Sequence, residues 1–425
     1  MGRVEIRQDQ LAGHLAGMSV PPSLAAARAR ALARLHATGL PSKRDEYWRY
    51  TDPTSLIAAD AQTAAVFDPQ DEAPAFDAID RLKLVFVDGV FDAAASDDPV
   101  LAGVEIGRLA TLGTASHWAD DLYGDLEKAG QHPVARPLAA FNSAYATDGV
   151  LIRVTAIAAK PVSLIYIHNS EVSDATLHHV IRVEPGASLT ILENGPAAAR
   201  LNKVMEVEVC AGARFHHIRA QGRDHARRAV THIFARLHAG ARFKSFTLTA
   251  NGVLTRNEAV IELVGDDAVA HVAGAAVGDG KFHHDDTVFV THDALRCESR
   301  QVFKKVLKNG AVGVFQGKIL VKNGAQKTDG YQISQALLLD GESQFLAKPE
   351  LEIYADDVKC SHGSTTGAID ETALFYLRSR GVPLAQAQSL MVLAFLAEAI
   401  AEIEDEAIAE DIRSRLEGWL ARHNH

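Results

Sequence analysis

Between residues 149 and 270 the chain alternates β-rich runs with small turns, and the alternation repeats. Runs at 179–183 and 188–192 flank Gly186-Ala187, and runs at 204–209 and 214–218 flank Gly212-Ala213. Runs at 231–237 and 242–246 flank Gly240-Ala241, and runs at 258–264 and 268–272 flank Asp266-Asp267. The turns at 186, 212, 240 and 266 are 26, 28 and 26 residues apart. A fixed period of this size is the mark of stacked repeats. Each unit holds two strands and no helical pattern, which predicts a β-solenoid, with the Gly-Ala steps at its tight corners. Turns in a sandwich of hairpins would recur about every 8–12 residues instead. After 270 the pattern loosens, but strands are still expected at 287–292, 312–322, 332–339 and 351–354.

Helical patterns flank this region. The first 40 residues read as helix, with 24–40 capped by Ser23 and closed by Pro41. The polar and aromatic segment 43–51 predicts a helix-to-loop corner in which Trp48 and Tyr50 pack together. Residues 84–91 read as a hairpin over Asp88-Gly89, and 109–128 as a helix weakened by Gly113 and Gly124. Beyond Gly367, Asp370 caps a helix over 371–380 that stops at Gly381. A second helix, 384–403, carries an apolar face of Leu390, Met391, Ala394 and Phe395. A third, 407–422, carries Ile408, Ile412, Leu416 and Leu420. Such helices would cover solenoid edges that otherwise aggregate. The expected architecture is mainly β: a helical and mixed N-terminal region over 1–135, a β-helix core over 136–368 and a helical domain over 369–425.

Composition narrows the function. Hydrophobic residues make up 47% of the chain and aromatic residues only 6%, so small and β-branched side chains must build the core. With 43 basic and 54 acidic residues the net charge is −11, which argues against binding nucleic acid. Cys210, Cys297 and Cys360 are an odd number without close spacing, so no disulfide scaffold is expected and a reducing cytoplasm is the easier home. Charges stand where a signal peptide would be apolar, and the longest apolar run, 390–397, ends at Glu398. That run is too short for a bilayer, so no membrane association is expected.

Few residues offer chemistry. Gly313-Val-Phe-Gln-Gly317-Lys318 is one residue short of a phosphate loop, and Ile319 stands where a Ser or Thr would bind magnesium. The pairs His178-His179, His216-His217 and His283-His284 point to opposite faces of a strand, and polar positions on a solvated sheet face account for them. The segment 354–363 is different, because it gathers Asp356, Asp357, Lys359, Cys360 and His362. On an extended chain Cys360 and His362 face one side about 6.7 Å apart. That is too far for a catalytic dyad but suited to two ligands on one metal–sulfur unit. Lys359, if close, would lower the thiol pKa. The plainer alternative is a buried Cys beside a turn glycine, with both aspartates capping the turn.

Residues 354–363, followed by Leu374-Phe375-Tyr376-Leu377-Arg378-Ser379-Arg380-Gly381, resemble the C-terminal signature of the SufD family of iron–sulfur cluster assembly scaffolds. Further likeness lies in 317–319, 324–329, 348–353, 46–51 and 86–92, so it runs through nearly the whole chain in order. One departure is Ala336-Leu-Leu-Leu-Asp340, where the family has Asn-Leu-Leu-Leu-Ser. The resemblance implies a right-handed parallel β-helix between helical N- and C-terminal regions. It also implies a heterodimer with a SufB-like paralogue through the β-helix edge, and a SufC-like ATPase bound through the C-terminal helices. Cys360 and His362 would then meet a transient iron–sulfur cluster at the partner interface, with no cluster held stably by the isolated chain. Four thiolates usually hold such a cluster in one chain, and three scattered ones cannot.

The expected role is therefore a non-catalytic scaffold subunit in the cytoplasm. Two rival readings stand beside it: a β-helix polysaccharide lyase or hydrolase using Asp356 and Asp357, and a homodimer serving only as an interaction platform. Adjacent strand residues diverge, which makes the aspartate pair a poor acid–base couple.

Overall fold

The computed structural model describes residues 3–66, 73–113, 117–195, 198–222 and 226–423. Helices α1 (Arg3–Leu15) and α2 (Ala25–Thr38) open the chain. Strands β1 (Leu82–Val87), β2 (Val90–Asp92) and β3 (Val104–Arg108) follow, then α3 (Asp125–Ala129) and α4 (Pro137–Tyr145). The solenoid winds through β4 (Val150–Val154), β5 (Val162–Ile167), β6 (Asp174–Val183), β7 (Ser188–Asn194), β8 (Arg200–Val209) and β9 (Arg214–Gln221). It continues through β10 (Arg228–Leu237), β11 (Arg242–Ala250), β12 (Leu254–Leu263), β13 (Val269–Asp279) and β14 (His283–His292). Its last strands are β15 (Glu298–Lys308), β16 (Val312–Val321), β17 (Asp329–Leu338), β18 (Gln344–Ile353) and β19 (Lys359–Gly367). Helices α5 (Glu371–Ser379), α6 (Leu384–Ile400) and α7 (Glu406–His423) complete the chain.

From β4 onward, even-numbered strands form one parallel sheet and odd-numbered strands the other, so each even–odd pair is one coil. The register pairs Asp174 with Arg200, Arg200 with Arg228 and Arg228 with Leu254, which are coils of 26, 28 and 26 residues. Later coils lengthen, with Val312 opposite Gln344, a step of 32. The pattern that thins in the sequence after 270 is thus a longer coil, not a lost repeat. At the corners Gly186, Gly212 and Gly240 take φ of 72°, 65° and 64°, where a side chain would be strained. Their amides donate to Ala211, Ala239 and Asp266 of the next coil at 3.0, 2.8 and 2.8 Å. Asp267, Arg296 and Lys327 carry this ladder on to Leu295, Gln326 and Asp357.

Parallel sheets need cover on both faces. Tyr47, Tyr123 and Leu126 of the N-terminal region pack on Val180, Phe234, Val260 and Phe289 of the even sheet. Val392, Leu396, Ile412 and Trp419 of α6 and α7 pack on Ile218, Phe246 and Val302 of the odd sheet. Asp370 caps α5 by accepting from the amides of Thr372 and Ala373, as its position predicts.

Several local expectations give way. Leu24 (φ 55°), not Ser23, occupies the N-cap of α2, and Gly39, whose amide bonds Leu35, ends that helix before Pro41. Trp48 and Tyr47 are buried in separate clusters, and Tyr50 is only half-buried. The stretch 109–128 is not one helix, because Gly124 (φ 73°) leaves only α3 and short 3-10 turns; residues 114–116 lie outside the described set. In α6 the buried residues are Ala387, Val392, Leu396, Ala399 and Ile400, while Leu390 is 46% exposed.

The histidine pairs are not on solvated faces. His179, His217 and His284 point into the solenoid and are fully or almost fully buried, and His178 is buried on the outer face beneath Tyr123. Inside, the Glu193 carboxylate accepts from Tyr166 Oη (2.6 Å), His217 Nε2 (2.7 Å) and Lys203 Nζ. Farther along, Lys305 Nζ reaches Asp286 (2.6 Å) and His284 Nδ1 (3.0 Å). Burial holds His217 at about 4 and lowers Lys203 to about 8. Burial alone would raise Glu193, but Lys203 and His217 outweigh it and hold the carboxyl well below its usual range.

Candidate functional site

The last coil has no successor. Among the described residues, strand β18 pairs only with β16 and β19 only with β17, so neither outer edge has a strand neighbour. Nine polar and small residues make β19 (KCSHGSTTG), and its apolar content does not reveal it as a strand. It forms because β17 templates it, with Gly330 opposite Cys360 and Gln332 opposite His362. Gly330 and Gln332 face the solenoid interior, so Cys360 and His362 share the inner face of the final coil, where the interior opens to solvent.

Cys360 is half-buried and packs against the cluster of Ile319, Val321, Ala325 and Ala355, as do Leu351 and Val358. Its Sγ lies 3.2 Å from where a Cβ on residue 330 would stand, so the glycine there makes room for the thiol. This partner was missed in the sequence, though a Gly-Tyr pair one coil before the Cys is its trace. His362 is exposed. Burial pushes the Cys360 thiol up, helped by Asp329 and opposed by a backbone bond from Gly330. The expected help from Lys359 does not arise, because that side chain points to the other face, in register with Asp329, and its charge acts on the Asp329 carboxylate.

Asp356 and Asp357 stand in the exposed turn between β18 and β19. Asp357 pairs with Lys327 at 2.6 Å, and its amide donates to Gln326 Oε1 at 2.9 Å, so it finishes the ladder of turns. Cys210 and Cys297 are buried beside earlier turns, Cys297 donating to Gly265 O at 3.3 Å. Among the described residues no three His, Cys, Asp or Glu side chains gather as a metal site. The open end therefore offers a thiol and an imidazole on one strand. Immediately beyond, α5 has no buried residue and exposes Phe375 (72%) and Tyr376 (56%).

Comparison with known proteins is decisive here. Residues 14–162 match the family described as SufBD protein N-terminal region, and residues 166–395 match the SUF system FeS cluster assembly, SufBD core domain. The chain belongs to the SufBD family. This SufBD chain is 30% identical to the iron–sulfur cluster assembly protein SufD of Escherichia coli K12 over 401 residues, covering 91% of this chain and 90% of that one. It is 26% identical to the chloroplastic protein ABCI7 of Arabidopsis thaliana over 409 residues, covering 91% and 84%. It is 28% identical to SufD of Bacillus subtilis over 266 residues, 60% of each chain. Membership in SufBD leaves the polysaccharide-cleaving alternative without support.

Proposed function

We propose that this SufBD protein is a scaffold subunit of iron–sulfur cluster assembly whose open solenoid end meets a SufB-like paralogue. The nascent cluster is cargo at that interface, with His362 as an iron or cluster ligand and Cys360 as a secondary thiolate. The carrying observation is that both side chains lie on the inner face of a terminal coil with bare strand edges. Burial favours the protonated Cys360 thiol, so ligation requires that a metal or a partner's charge draw off its proton.

The exposed aromatic side of α5 is the docking surface for a SufC-like ATPase, and the chain carries no turnover chemistry of its own. We read three units, 1–135, 136–368 and 369–425, working in the cytoplasm. No helix among the described residues is long and apolar enough to cross a membrane. Co-purification of the chain with both partners, followed by iron and sulfide analysis, tests the reading. His362→Ala should abolish cluster formation while the complex still assembles, and undiminished formation would overturn the assignment. Native mass spectrometry with and without the partners separates the heteromer from a homodimeric platform.

A further inference from the structure

A terminal coil lacks a neighbour on one side and frays unless something holds it. Strand β18 is held from outside the sheet by the segment 46–51, about 300 residues earlier in the chain. Tyr47 Oη donates to Glu350 Oε2 at 2.6 Å. Lys348 Nζ bridges Glu46 (2.5 Å) and Glu350 (2.9 Å) and sits 4.0 Å from the centre of the Tyr47 ring. The same segment is anchored on three earlier strands. Arg256 of β12 and Gln316 of β16 donate to the Tyr47 carbonyl at 2.8 and 3.0 Å. Thr51 donates to Asp285 of β14 at 2.6 Å, and the Tyr47 ring meets Phe289 of β14 edge-on at 5.0 Å. The segment thus spans four successive strands, about 14 Å at strand spacing.

Strand β19 has no such support. Its side-chain hydrogen bonds among the described residues go to β17 alone, Ser364 with Ser334 and Thr365 with Gln335. The two bare edges of the last coil are therefore unequal. We infer that Tyr47, with Glu46, Lys348 and Glu350, is a brace that positions β18 as a preformed docking edge, leaving β19 free to adjust around the cluster. This rests on the reading that the β18–β19 edge receives the paralogue. Tyr47 and its partners are positioning residues, since none touches Cys360 or His362. Burial and the neighbouring Glu350 also hold the Tyr47 phenol protonated, so it remains a donor at any physiological pH.

The test is hydrogen exchange on the full chain, alone and with the paralogue, together with association kinetics. Tyr47→Phe keeps the ring on Phe289 and removes only the donor. It should speed exchange of the β18 amides about tenfold and weaken paralogue binding by a similar factor, with β19 exchange unchanged. Glu350→Leu, which removes the acceptor, should do the same, and the double variant should be no worse than either single one. Unchanged β18 exchange in Tyr47→Phe overturns the brace. Faster exchange with unchanged binding overturns its positioning role. If the paralogue protects neither β18 nor β19 of the unaltered chain, the reading of the edge fails first, and recognisably so, because the brace is measured without partner.

Discussion

The two ends of the solenoid handle the same problem in opposite ways. At the first coils each sheet finishes on a short antiparallel strand, β2 of three residues on β1 and β3 of five residues on β4. Short edges offer little to a foreign strand. At the last coil the sheets finish on β18 and β19, ten and nine residues long and parallel to their neighbours. Nothing blunts β19. The closed end also lies beside the buried Glu193–Lys203–His217 cluster, while the open end carries His362 in solvent. Polar groups of the same type are therefore structural near one end and available near the other.

The sharpest way to break that contrast is to remove Glu193. Glu193→Ala leaves the Lys203 charge buried without its partner and should cost about 3–5 kcal/mol, read from urea unfolding. His362→Ala should stay within about 0.5 kcal/mol in the same assay. Equal losses at the two sites would erase the distinction.

Acid comes next. Burial holds His217 and His232 near pKa 4, against 6.5 for an unperturbed histidine. Below pH 6.5 the unfolded chain takes up protons that these folded imidazoles refuse, so stability falls as pH drops from 6.5 toward 4. Each contributes a loss of up to about 3 kcal/mol. Unfolding midpoints measured across that window should slope downward with acidity, and a flat profile would contradict the buried-neutral assignment.

The smallest effect separates two glycines. Gly240→Ala forces a side chain to φ 64° in an exposed turn and should cost about 1–2 kcal/mol through that conformation alone. At Gly363 an added Cβ meets nothing within 4 Å, so Gly363→Ala should leave the unfolding midpoint in place.

What the sequence made legible follows from what repeats locally. The corners at 186, 212, 240 and 266 are written in adjacent residues, and the coil period follows from them. The interior polar column is written across coils instead. Seven residues after their turn glycines stand Glu193, Arg219 and Thr247, and five after them stand His217 and Ser245. Read one strand at a time, those positions look solvent-facing; aligned by coil, they fall on one inward line. Strand β19 was unreadable for another reason. Its residues bury little on either face, so no hydrophobic alternation marks it, and only its pairing with β17 makes it a strand. Cys360 and His362 stand out in the sequence through their motif, whereas the contact of Gly330 with Cys360 joins coils 30 residues apart. The brace at Tyr47 was hidden likewise, since its partners lie at the far end of the chain.

The junction of β19 and α5 has a mechanical consequence. Only three residues separate Gly367 from Glu371, so any pull on the helix enters the strand at its C-terminal end. The bonds of β19 run to β17 alone and stand side by side along the strand. Force applied at that end and across the strand loads them in succession, as in a zipper, whereas force along the strand shares the load as shear. Under a crosswise pull the tear begins at Gly367 and reaches His362 before Cys360.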